Sequence, residues 1–116
     1  MVHVTSSQAI KRTLLQVTPV ESMPGWETRL YLVEYQPGAD GSGHHHPAVG
    51  VGYVLSGSIL SAFSAEEPVL YRLGESFMDA AHEVHTACRN ASETEPMSLL
   101  LAYTVKRGEP VTVNPE

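Results

Sequence analysis

A single cysteine, Cys88, is all the thiol chemistry in this 116-residue chain, which rules out an internal disulfide and fits a reducing compartment. The seven Lys and Arg residues are scattered from Lys11 to Arg107, and the formal charge is −6, so no basic footprint for nucleic acid or an anionic membrane is present. No apolar run is long enough to span a bilayer, and Met1 to Gln16 hold no apolar stretch of the kind a secretory signal needs. We expect a cytoplasmic protein that meets a small-molecule substrate or ligand. The length suits one domain, residues 1–116, with no room for a separate cofactor-binding domain.

What the chain does have is a series of short apolar runs broken by Gly, Pro, Ser and Asn, without a sustained helical period. The expected strands are Thr13 to Thr18, Thr28 to Tyr35, Val51 to Leu55, Ile59 to Phe63, Val69 to Leu73, Ser76 to Asp79, Glu83 to Cys88 and Met97 to Val105, with a short edge at Val111 to Val113. Ser56-Gly57-Ser58 reads as a tight hairpin between the third and fourth of these, with Gly57 at positive φ. Many short strands without crossover helices predict an all-β sandwich or closed barrel.

The chemistry concentrates in histidine. His44, His45 and His46 follow the turn-rich run Pro37 to Gly43, and His85 lies on another strand-like segment. Side chains alternate along a strand, so His44 and His46 share a face and His45 takes the other. Two imidazoles from one strand and a third from a distant one make a mononuclear metal site, His44, His46 and His85. The plainer alternative is three histidines satisfied by backbone hydrogen bonds. Alternation continues the pocket face through Ala48, Gly50, Gly52 and Val54, whose small residues would leave volume for a ligand or serve a barrel corner. Glu83 falls on the same expected face as His85, and His82 in the turn before it. These two are the candidates for proton transfer, although Glu83 also suits a surface position. His3 has no supporting context, and Cys88 reads as a small buried apolar residue.

Two segments resemble the cupin superfamily. Gly38 to Gly57, GADGSGHHHPAVGVGYVLSG, is similar to its first motif, a glycine before an HxH pair and a strand ending in a YVLxG-like turn; Gly74 to Asn90, GESFMDAAHEVHTACRN, is similar to its second. The nearest type is the small single-domain cupin-2, or quercetin-dioxygenase-like, group. The likeness implies a double-stranded β-helix (jelly-roll) barrel, metal ligands at His44, His46 and His85, and a homodimer. Two departures stand out. The glutamate that many cupins place four residues after the second histidine is Gly50, and the Pro-Gly turn before the third histidine is Ala80-Ala81-His82.

A divalent ion held by three neutral imidazoles keeps its full charge and should favour an anionic ligand, with open positions of the kind catalytic sites need. The resemblance therefore implies a metal-binding enzyme, an iron-type dioxygenase acting on a small oxygen-bearing substrate. Mn, Ni, Zn or Cu are also suited to imidazole, and Mn, Ni or Zn would bring Lewis-acid chemistry instead. A binding or sensing module without turnover is the alternative, because the fold hosts many functions.

Overall fold

Strands form where alternation gives each segment one apolar face to bury. The computed structural model describes residues 9–113, so His3 lies outside the described part. Eight strands follow in order: β1 Ile10–Pro19, β2 Trp26–Tyr35, β3 Gly50–Ser56, β4 Ser58–Phe63, β5 Val69–Arg72, β6 Ser76–Asp79, β7 His85–Asn90 and β8 Met97–Lys106. They make a five-stranded sheet, β1-β2-β8-β3-β6, and a three-stranded sheet, β5-β4-β7, all of whose pairings are antiparallel. The all-β expectation holds.

The core lies between the two sheets. Val33 on β2, Val54 on β3, Ile59 on β4, and Met97 and Leu99 on β8 are essentially sealed from solvent. Each such aliphatic side chain contributes about 1.5–3 kcal/mol by leaving water. Inward positions are odd on β2 and β8 and even on β3, as period-2 alternation requires.

Two expectations need correcting. Strands β3 and β4 do not form a hairpin with each other: β3 pairs β6 and β8, whereas β4 pairs β5 and β7. Gly57, at φ 71°, is the corner where the chain passes from one sheet to the other, and a Cβ there would lie 2.7 Å from Met97 Cβ. A single-residue connection at positive φ looks the same in sequence whether it joins partners or swaps sheets. The expected edge at Val111 to Val113 is only one bridge, His45 to Val113.

The second motif ends on a pinned loop. Asn90 is fully buried, donates from Nδ2 to the carbonyls of Gln36 and Glu95 at 3.1 and 2.8 Å, and accepts the Ser92 amide at 2.9 Å. One side chain thus holds the 91–96 turn against the chain leading to the histidine run.

Candidate metal centre

The histidine run is not part of β3. It is a separate rung held by single bridges, His44 to His85 and His46 to Ala81 along one edge and His45 to Val113 along the other. The His85 amide donates to the His44 carbonyl at 2.7 Å, and the His82 amide to the His46 carbonyl at 2.7 Å. Gly41 and Gly43 anchor the preceding turn by donating to the carbonyls of Cys88 and His85. The in-out order nevertheless persists: His44 and His46 are buried and His45 is more open.

The three rings converge. His44 Nε2 lies 3.1 Å from His46 Nε2 and 3.2 Å from His85 Nδ1. Their outer nitrogens fix the tautomers: His44 Nδ1 is bound to the Gly41 carbonyl and His46 Nδ1 to the Val111 carbonyl. Carbonyls only accept, so both Nδ1 atoms carry the proton and donate it. In the neutral rings both Nε2 atoms then present lone pairs to one another, with no hydrogen between them. Two converging lone pairs repel unless a proton or a cation sits between. Backbone bonds and a metal site stand as alternatives in the sequence, and the same rings that make the backbone bonds also turn their remaining nitrogens toward one another.

His85 is oriented by Ser61 Oγ, 2.8 Å from its Nε2, and by Phe63, whose ring stacks on the imidazole at 4.0 Å. Burial, and then the neighbouring histidines, push its pKa down to about 3. His44 and His46 are also lowered, chiefly by burial. All three are therefore neutral near neutrality, the form that binds metal.

Sequence reading missed Asp79. The residue is 2 % exposed, with Oδ2 3.2 Å from His46 Nε2 and accepting the Tyr103 hydroxyl at 2.7 Å, while Oδ1 has no partner. Burial raises its pKa, opposed by the Tyr103 hydrogen bond and by electrostatic interaction with His44 and Arg12. Burial and the nearby carboxylate keep Tyr103 protonated by raising its pKa. The signal was available, because Phe77 and Asp79 share a face of β6 and Phe77 is core. A lone carboxylate two residues from a core aromatic is out of place unless something binds it. The centre is therefore not free of carboxylate, as the glycine at position 50 had implied.

Among the described residues, two groups bring potential ligand atoms within 4.8 Å of one another: His46, Asp79 and His85, and His44, His85 and Cys88. Cys88 is tied to Tyr35 at 3.1 Å between Sγ and the hydroxyl, and burial pushes its thiol up to about 12, as a packed, protonated side chain requires. The residues fit a metal: the lone pairs on His44 and His46 face each other, and one oxygen of Asp79 is unclaimed.

Glu83 and His82 are not brought to this centre. Strand β7 starts at His85, so Glu83 lies before it, exposed, and accepts from Ser64 Oγ at 2.9 Å. The inward positions of β7 are His85, Cys88 and Asn90, so the alternation expected to put Glu83 on the face of His85 does not hold. His82 is exposed at φ 64°, so it takes the left-handed backbone a glycine would favour and contributes its amide, not its ring. Nor is the space over Gly50 and Gly52 open to a ligand, because a Cβ there would overlap the rings of Tyr103 and Phe77.

Access comes from the other side. A cavity of about 20 Å³, enough for one water-sized occupant, is lined by His44, His46, Asp79, Tyr103 and Arg12. Outside it a cleft of about 640 Å³ is lined by Arg12, Tyr31, Ser42, His44 and Thr112. Arg12 borders both spaces.

Two antiparallel sheets and a buried histidine cluster define a β-jelly-roll protein with a candidate metal centre. The cupin-2 family model, described as "Cupin domain", matches residues 31–103, and the chain belongs to that family. Among solved structures it is similar to KdgF from Halomonas sp. (TM-score 0.65, 21% identity, 85% of this chain and 82% of that one). It is also similar to the DMSP lyase DddQ from Ruegeria pomeroyi DSS-3 (0.71, 19%, 92% and 52%) and to an oxalate oxidase in complex with glycolate (0.69, 21%, 95% and 58%). A double-stranded β-helix protein from Klebsiella pneumoniae subsp. pneumoniae MGH 78578 matches over 97% of this chain at 15% identity (TM-score 0.68). The chain thus spans little more than half of the lyase and the oxidase, and identities this low establish the shared double-stranded β-helix fold alone. No curated protein sequence matches it.

Proposed function

We propose that this chain is a metal-dependent enzyme, of the iron dioxygenase type, acting on a small anionic, oxygen-bearing substrate. The observation that carries the reading is the pair of Nε2 lone pairs held 3.1 Å apart by outward-facing Nδ1 protons, beside a cleft whose rim bears Arg12. A divalent metal bound by His44, His46 and His85 would supply Lewis acidity or, as iron, a site for dioxygen chemistry. The chain's own residues do the rest. Arg12 attracts and orients an anion at the mouth of the centre, and the narrow inner cavity admits only the reacting end. The oxalate oxidase neighbour, in complex with glycolate, is a precedent for a small carboxylate on this fold.

A homodimer is proposed as the assembly. The outer face of the five-stranded sheet carries Leu30, Leu32, Val51, Tyr53, Met78 and Leu100, with Val51 and Met78 about three-fifths exposed. Val51→Lys would leave such a dimer monomeric by light scattering.

The functional test is oxygen consumption by tag-free, iron-loaded protein offered small carboxylates, diketones, flavonols and thiols. Turnover that Arg12→Gln weakens mainly through a higher KM supports the proposal. Saturable binding without product from any of the four classes would assign the chain to a binding module instead.

A further inference from the structure

We infer that Asp79 supplies a fourth, oxygen ligand to the centre, and that Gly50 and Tyr103 are the device that holds it there. The inference rests on the metal-centre reading above and deepens it. In the five-stranded sheet Gly50 is directly opposite Asp79 on β6 and directly opposite Tyr103 on β8, and all three positions face inward. Since Gly50 has no Cβ, the Tyr103 ring lies across it, in the space a side chain would fill, and its hydroxyl reaches over β3 to Asp79 Oδ2. Two strands that do not pair with each other are thereby joined through the gap in the strand between them.

The result is a carboxylate aimed at His46 with one oxygen oriented and the other, Oδ1, sealed from solvent without a donor. An unsatisfied buried carboxylate oxygen is costly. An ion pair with a protonated His46 does not remove the cost, because it engages Oδ2 and leaves Oδ1 as it was. A cation among His46, His85 and Asp79, whose potential ligand atoms lie within 4.8 Å of one another, gives the carboxylate and the imidazole lone pairs a common partner. With His44, whose Nε2 lies 3.1 Å from His46 Nε2 and 3.2 Å from His85 Nδ1, the ligand set becomes three imidazoles and one carboxylate, which lowers the charge around a divalent ion from +2 to +1.

The test uses tag-free full-length protein stripped of metal and titrated with Co(II) and with Mn(II), read by calorimetry and by the visible spectrum of the cobalt form. Asp79→Asn should weaken Co(II) binding by about 100-fold and alter the spectrum, and Tyr103→Phe should weaken it by roughly 10-fold. The metal-free thermal midpoint of each variant shows whether it is folded; should Asp79→Asn fail there, Tyr103→Phe decides the matter. A chain carrying Asp79→Asn, Tyr103→Ala and Gly50→Glu, with the carboxylate moved to the facing inward position, should recover affinity. Wild-type affinity and spectrum in a folded Asp79→Asn or, in its absence, in Tyr103→Phe would overturn the inference and leave the three-histidine centre standing. A wild-type chain that binds neither metal would overturn both.

Discussion

The two histidine-bearing segments answer differently to the same rule. Around His44 and His46 the alternation read from sequence persists in space, even through the break between the bridged rung and β3. Around His85 it fails: Glu83, expected on the face of His85, turns to solvent, and beyond His85 the buried positions are Cys88 and Asn90. The difference lies in what flanks each stretch. His44 and His46 are each bridged to a neighbouring stretch, so the pleat is imposed from outside. Ala80 to Val84 is a turn whose one left-handed residue, His82, resets the phase before β7 begins.

The comparison can be broken most severely at the ligands. Replacing His46 or His85 by Ala should reduce bound metal from near one per chain to background, measured by elemental analysis, whereas His82→Ala should leave it unchanged.

Acid provides the next largest effect. The folded protein holds the pKa of His85 at about 3, against roughly 6.5 unfolded. Between those values the unfolded chain binds the extra proton, so stability is full above about pH 6.5 and falls as the pH drops toward 3. His85 alone accounts for a loss on the order of 5 kcal/mol across that window. His44 and His46 act in the same direction and Asp79 in the opposite one, since its raised pKa favours the folded state in acid. Denaturant titrations of the metal-free protein across this range check the slope, and a flat profile would contradict the burial of neutral imidazoles.

Gly50 sharpens the account of the first segment. Gly50→Ala places a methyl group in the Tyr103 ring and should cost about 1–3 kcal/mol by denaturant unfolding. Tyr103→Leu in the same chain should recover part of that loss. The smallest effects belong to the exposed turn. His82→Gly should raise stability by roughly 1 kcal/mol by relieving the left-handed backbone, and Glu83→Gln should change it by less than about 0.5 kcal/mol. Neither should alter metal content.

Much of this was legible beforehand. Period-2 apolar patterning located all eight strands to within a few residues, and the HxH spacing with His85 pointed to one cluster. What escaped was relational. Whether Gly57 turns a hairpin or changes sheets depends on partners that a single strand's pattern does not name. The emptiness of Gly50 and Gly52 read as ligand space or a barrel corner, yet rings from Tyr103 and Phe77, remote in the chain, occupy it. Asp79 carried a usable signal in its shared face with Phe77, but its link to Tyr103 requires knowing that β6 and β8 flank β3.

The most direct test of the histidine centre is the metal content of tag-free wild-type protein against His85→Ala, prepared identically and never exposed to a nickel column. One equivalent of transition metal per wild-type chain, with background in the variant, is the result predicted here. Metal absent from both, or equal in both, would contradict the claim that His44, His46 and His85 are held together to bind it.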